Sequence, residues 1–268
     1  MNFKKVLLRT GLVLGTVLVA TVLTEAGQKA DAATYSGNLV NKSELTIGLE
    51  GTYKPYSYRA NGKLTGFEVD LGKALAKQLG LKAKFVPTKW DSLIAGVGAS
   101  KYDVVLNNIT ETAERKKNYI FSNPYIYSRY ALITPKKAKI TNINKIKNKT
   151  FAEGTGTNNA ILAKKYGAKI VSSGEFSTSL SLIRQGRVDG TINSAEAYYA
   201  YAKSNKTSDL NFKDLSKQVA PVKVSALLNK NNTKLQKRIN KALKTLRSNG
   251  TLKKLSKKYF GEDITKKP

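Results

Sequence analysis

Between Glu44 and Leu106 short apolar runs alternate with helical periodicities, and from Thr150 to Lys203 the same alternation starts again. Residues 45–49 read as a strand with a loop at 50–58 beyond it. Phe67, Leu71, Leu75 and Leu79 recur every four residues and stop at Gly80, which predicts a helix with one apolar face and a glycine end. A strand at 83–86, a helix opening at Trp90 with Asp91 as its cap, and a strand at 104–106 complete a right-handed α/β unit. The second run reads as strand 150–153, glycine loop 154–157, helix 158–166, strand 169–171, helix 178–185, strand 190–193 and helix 195–203. Two such runs predict an α/β protein of two lobes, and 268 residues of which 41% are hydrophobic are enough for both.

The stretch from Tyr102 to Arg115 changes character in its middle. Val104, Val105 and Leu106 are adjacent aliphatics, as in a strand covered on both faces, and small polar residues follow at once. Ligands of α/β folds sit beyond the ends of such strands, so Asn108 and Thr110 are expected at the mouth of a crevice. Thr112 caps a following helix in this reading, with Glu111 and Glu114 near its positive end. Arg115 is unfavourable in that first turn, which suggests another task. A guanidinium fork fits a carboxylate, so Arg115 with Thr110 and nearby backbone N–H groups forms a candidate seat for an α-carboxylate. The alternative is a surface pair between Arg115 and Glu111.

With neither cysteine nor histidine, the chain has no disulfide, thiolate metal site, thiol nucleophile or Ser-His-Asp triad. No cofactor and no metal are expected. Residues 1–32 carry Lys4 and Lys5, a broken apolar run to Leu23 and the small-x-small sequence Ala30-Asp31-Ala32, the pattern of a secretory signal peptide. The alternative, a membrane anchor, needs roughly 20 consecutive apolar residues, and Arg9 interrupts the run. Cleavage after Ala32 removes four basic and two acidic residues, which takes the net charge from +29 to +27. The 39 lysines are spread singly or in pairs, and export argues against nucleic acid as their partner. Anionic cell-wall polymers are the expected counterpart. A lipid anchor needs a cysteine, so charge would hold this secreted protein at the cell surface.

Tyr53, Tyr56 and Tyr58 surround Pro55 in the first loop. Tyr53 and Tyr56 are expected to cover the apolar part of a ligand, and Tyr58 to pack inward. Trp90 reads equally as a core plug or a pocket wall. Thr155, Gly156 and Thr157 form a glycine loop at a helix start whose N–H groups suit an anion, although an ordinary tight turn has the same wording. No lysine follows in P-loop spacing, so a nucleotide is not expected. Residues 131–134 and 222–228 are the expected crossings between lobes, and the helices at 233–248 and after Gly250 return to the first lobe. A leader at 33–43, a first lobe of 44–131 with 226–268 and a second of 132–225 follow, with two crossings acting as a hinge.

The wording Glu50-Gly51-Thr52-Tyr53-x-Pro55-Tyr56, Gly66-Phe67-Glu68-Val69-Asp70-Leu71, Trp90-Asp91-Ser92-Leu93-Ile94-x-Gly96, the stretch from Tyr102 to Arg115, Phe121-Ser122-x-Pro124-Tyr125 and Gly186-Arg187-Val188-Asp189 resembles the extracellular solute-binding proteins of polar amino acid ABC transporters, family 3. The likeness covers nearly the whole mature chain and is nearest to the cystine binders. It implies a two-lobe type II periplasmic-binding-protein fold with a two-strand hinge. It also implies an α-carboxylate held by Arg115, Thr110, Thr155 and Gly156, an amino group met by the backbone carbonyl of Asn108, and an aromatic cover from Tyr53. Glu50 and Tyr56 fall where the ligand side chain is sensed. Ser194 stands where many members carry an aspartate for the amino group; the missing charge would cost about 1.5–3 kcal/mol unless Glu153 or Glu196 replaces it.

Three functions follow as expectations. The first is a non-catalytic, monomeric receptor that captures cystine or another polar L-amino acid for a membrane ABC permease. The second is a basic surface adhesin that binds host matrix or anionic glycans on the same scaffold. An enzyme such as a dehydratase, with Glu153 or Glu196 as general acid, is third, weakened by the missing histidine and metal cluster.

Overall fold

The computed structural model describes residues 35–267, so the expected signal peptide and the start of the leader lie outside the described residues. The first sheet orders its strands Lys82–Pro87, Glu44–Leu49, Val104–Val105, Leu227–Asn229 and Tyr119–Phe121. Its first three members are parallel, and Leu227–Asn229 runs antiparallel to both its neighbours. Helix Phe67–Gln78 turns Phe67, Leu71 and Leu75 onto this sheet, as its four-residue spacing predicts, and Leu235, Ile239 and Leu243 of helix Thr233–Ser248 join the same core.

The second half repeats the arrangement. Lys169–Ser172 pairs in parallel with Thr150–Glu153, while Thr191–Ser194, Tyr130–Pro135 and Leu210–Asp214 form an antiparallel triplet. A parallel bridge from Phe151 to Gly190 joins the two pieces. Gly190 is required there, because a Cβ would lie 2.7 Å from the Ile133 carbonyl oxygen and 2.9 Å from the Phe151 ring. Both halves thus place a later strand outside the first, on the pattern of ligand-binding α/β sheets.

Several sequence expectations need correction. Residues 131–134 are no crossing: Ala131, Leu132, Ile133 and Thr134 are all buried within the central strand of the second triplet. The two halves are joined instead by Ile126–Ser128 and Val222–Val224, which pair antiparallel. Strand 222–228 divides, because Ser225 and Ala226 leave that pair before Leu227 enters the first sheet. Asp91 sits in the first turn of helix Trp90–Gly98 without capping it, and Lys89 takes the cap position. Thr112, in contrast, caps as expected, its side chain accepting from the Arg115 N–H at 3.2 Å.

Candidate functional site

A cavity lies between the ends of the two sheets, lined from the first half by Glu50, Thr52, Tyr53, Trp90, Asn107, Asn108, Thr110 and Arg115. Opposite stand Glu153, Gly154, Thr157, Asn158, Ser173, Glu175, Asn193 and Ser194. Its volume of about 100 Å³ is several times what one water needs.

Arg115 is 9% exposed. Its Nη1 donates to the Thr110 carbonyl at 2.8 Å and its Nη2 to the Gly156 carbonyl of the other half at 3.2 Å. The guanidinium stands 5.6 Å from the Trp90 ring centroid. Burial pulls its pKa down, and among the described residues no carboxylate pairs with it. The alternative partner, Glu111, is engaged elsewhere: it accepts from Lys116 at 2.7 Å and from the Ser225 hydroxyl at 2.7 Å. A desolvated cation held only by carbonyl dipoles is complementary to an anion.

The walls already touch across the cleft. The Trp90 indole donates to the Thr155 carbonyl at 2.7 Å, and the Tyr53 hydroxyl to Asn193 Oδ1 at 2.6 Å. Trp90 is therefore a pocket wall. Thr155 and Gly156 do not line the cavity; they meet Trp90 and Arg115 through their carbonyls, whereas the sequence predicts N–H groups pointing at a ligand. Thr157 does line it and caps helix Asn158–Lys165. Tyr56 is set back from the cavity, fully buried, because its ring packs 5.0 Å from Tyr53 and 5.5 Å from Phe260. Its hydroxyl donates to Ser194 Oγ at 3.1 Å, so it braces the wall from behind.

The carboxylates divide sharply. Glu196 is 3% exposed, spent on Ser128 at 2.9 Å and Arg129 at 3.3 Å, and is absent from the lining. Glu153 is 2% exposed and lines the cavity; its Oε1 accepts from the Ile192 N–H at 2.6 Å, and burial pushes its pKa well up. Glu50 is braced by Asn107, whose Nδ2 donates to Oε2 at 2.6 Å. Burial, with added repulsion from Glu175 and Asp91, raises Glu50 to about 6 against the lowering effect of Asn107. Asn108 has a positive φ of 48° and a buried Oδ1 without a hydrogen-bond partner among the described residues, and its N–H donates to Glu68 Oε1 at 2.6 Å. Glu68 is fully buried, and desolvation raises it to about 7.

Sequence reasoning missed Asn107, Tyr130, Asn158, Ser173, Glu175 and Asn193 among the lining residues. Ser173 and Glu175 follow the strand Lys169–Ser172, so the strand-end rule applied to Asn108 would have found them.

The description "Bacterial extracellular solute-binding proteins, family 3" matches residues 45–262. The L-cystine-binding protein TcyA of Bacillus subtilis is 37% identical over 232 residues, 85% of each chain. An ancestral arginine-binding protein bound to arginine superposes with a TM-score of 0.76 at 32% identity, covering 82% of this chain and 99% of its own. The L-cystine solute receptor of Neisseria gonorrhoeae in its unliganded open conformation gives 0.58 at 34% identity, covering 85% and 98%. The chain belongs to the bacterial extracellular solute-binding proteins, family 3.

Proposed function

We propose that this chain is the amino-acid receptor of an ABC importer, handing a polar L-amino acid to a membrane permease, with cystine as the first candidate. The observation that carries this reading is Arg115, a buried guanidinium that has no carboxylate partner among the described residues, in a cleft closed from both halves. In this reading Arg115 and Thr110 hold the α-carboxylate, Trp90 and Tyr53 cover the ligand, and Asn108 Oδ1 accepts from its amino group. Glu153 supplies the charge that Ser194 lacks, because it alone of the two replacements considered lines the cavity. Ser194 instead caps helix Ala195–Ala202 through its hydroxyl. The lobes divide at Ile126–Ser128 and Val222–Val224, and opening turns about that pair. The cystine assignment is supported by the name of the Bacillus subtilis relative.

Isothermal titration with the protein amino acids and cystine tests the reading. One or a few should bind, and Arg115→Ala should weaken that ligand by roughly a hundredfold or more, since a desolvated charge pair costs on the order of 3–5 kcal/mol to break. A folded chain that binds none of them, or an Arg115→Ala variant that matches wild type, overturns it.

A second reading, contact with anionic cell-wall polymers or host glycans, is favoured by one surface. Lys234, Lys237, Lys241 and Lys244 are all exposed along helix Thr233–Ser248. Their spacing of three and four residues sets them in one row. Residues 1–32 would direct export; among the described residues no helix is long and apolar enough to cross a membrane.

A further inference from the structure

Glu68 is a fully buried carboxyl group in the first turn of helix Phe67–Gln78, and its Oε2 has no hydrogen-bond partner among the described residues. A carboxyl buried half satisfied is costly, and an apolar side chain would fill the same space at less cost. What offsets the cost is the other oxygen. Glu68 Oε1 accepts from two donors, the Asn108 N–H at 2.6 Å and the hydroxyl of Tyr125, which is itself fully buried. Asn108 lines the cavity and Glu68 does not, so the route from Glu68 to a ligand runs through Asn108.

The place of Glu68 is fixed from behind. Its own N–H donates to the Tyr56 carbonyl at 2.9 Å and the Phe67 N–H to the Pro55 carbonyl at 3.0 Å, which ties the helix start to the first loop. Gly66 permits this approach, because its φ is 130° and a Cβ there would collide with the Tyr56 carbonyl. Tyr125, one residue before the connector Ile126–Ser128, holds the carboxyl from the other side. Asn108 is the strained member of the group. Its φ of 48° is a left-handed conformation that costs free energy outside glycine and persists where the surroundings over-determine it. The bond to Glu68 supplies that constraint. It also leaves on the cavity wall a buried acceptor, Asn108 Oδ1, with no partner among the described residues.

We propose that Glu68 is a positioning residue for ligand recognition: by holding the Asn108 N–H it keeps Asn108 in its left-handed conformation, with Oδ1 set to accept from the α-ammonium of an amino acid. The inference rests on the amino-acid reading of the cleft.

Titration calorimetry on the full folded chain with each of the twenty protein L-amino acids and L-cystine selects the tightest binder, which is then titrated into E68L, E68Q, N108G and E68L/N108G. N108G keeps the backbone conformation and removes Oδ1, so affinity should fall roughly tenfold or more, as for one hydrogen bond to a charged group. E68L releases Asn108 and should cost about as much. E68Q, whose amide oxygen can accept from the same two donors, should stay within about threefold of wild type. The decisive comparison is the double variant. Added to N108G, E68L should change affinity by about twofold or less while still lowering the melting temperature, because the acceptor it positions is already gone. A merely structural role would leave the two losses multiplying. Multiplying losses, an E68L variant that binds like wild type, or N108G without effect overturn the inference while leaving the amino-acid reading intact. Should E68L not fold, amide hydrogen exchange in wild type decides together with E68Q: the Asn108 N–H should be protected and E68Q should bind, and rapid exchange at Asn108 or a tenfold loss in E68Q overturns the inference. If the folded wild type binds no amino acid of the panel, the amino-acid reading fails and the inference falls with it.

Discussion

The interlobe cleft and the outer face of the C-terminal helices use charge in opposite ways. From Thr233 to Phe260 the chain has no acidic residue, and of the exposed lysines at 234, 237, 241, 244, 253, 254, 257 and 258 only Lys258 has a carboxylate within ion-pair distance among the described residues, Asp70 at 2.7 Å. Those charges remain hydrated, and salt beyond a Debye length of about 8 Å hides them from one another. In the cleft the excess is acidic, and the charges are withdrawn from water: Arg115 is pulled down while Glu50 and Glu153 are pushed up, as is Glu68 buried behind the wall. A net charge of +29 therefore says little about the ligand. Local burial decides that, and the lysine shell acts only at long range.

The sharpest way to break this contrast, after the loss expected for Arg115→Ala, is Glu153→Gln. The amide keeps an oxygen for the Ile192 N–H and the Thr191 hydroxyl, so the wall stays in place. What disappears is the charge facing the ligand amino group, and affinity should fall roughly tenfold to a hundredfold. Apo stability at neutral pH should rise, because folding no longer has to bury a carboxyl group that is ionised in the unfolded chain and whose pKa burial pushes well up. Calorimetry and a thermal melt read both effects. An unchanged affinity would mean that the amino group is met by Asn108 and dipoles alone.

Most of the fold could be read from the sequence because it rests on local patterns. The four-residue apolar spacing of Phe67, Leu71 and Leu75 and the solid run at Val104 and Val105 each have one structural solution. Arg115 was legible too, since a basic residue in a helix's first turn conflicts with the dipole. The crossings were not. Ala131–Thr134 and the true connector Ile126–Ser128 are both short strands a few residues apart, and only pairing with distant parts of the chain separates them. Tyr56 reads as a cavity residue because it shares a loop with Tyr53, yet Phe260, from the far end of the chain, fixes its ring in the core. Glu175 escaped for a related reason: the carboxylate its charge acts on, Glu50, is distant in sequence and lies on the opposite half of the cavity wall.

Acidity offers a second, smaller test of the contrast. The folded values of Glu50 and Glu68, about 6 and about 7, both lie above the ordinary 4.5. Such groups contribute stability that is fully present below about 4.5 and lost as pH rises through the folded values. The apo protein should accordingly lose melting temperature through that window, and Glu68→Gln, which keeps an acceptor for the Asn108 N–H, should flatten the loss. A cationic ligand acts in the opposite sense on Glu50 by favouring its ionised form. Its affinity should drop by about tenfold per pH unit at most below the Glu50 value, where binding releases a proton, and level off above it. Affinity that stays level across this range would separate Glu50 from the ligand.

The smallest expected effect on the ligand comes from the largest change in charge. Replacing Lys234, Lys237, Lys241 and Lys244 together by Gln removes four positive charges from one helix face without touching Leu235, Ile239 or Leu243 beneath it. Surface substitutions of this kind alter stability by about 0.5 kcal/mol or less apiece. Cleft affinity should remain within about twofold of wild type, because the row is exposed and its field is screened at physiological salt. Retention on an immobilised phosphate polymer should behave differently. A row at helical spacing can meet successive phosphates, and every phosphate left without its lysine lowers the steepness with which binding falls as salt rises. The variant should therefore leave the polymer at lower salt and with a shallower salt dependence, while calorimetry with the amino acid is unchanged. Polymer retention that survives the four substitutions would disperse the interaction over the whole lysine shell. A matching loss of amino-acid affinity would show that the outer face and the cleft are not electrically independent.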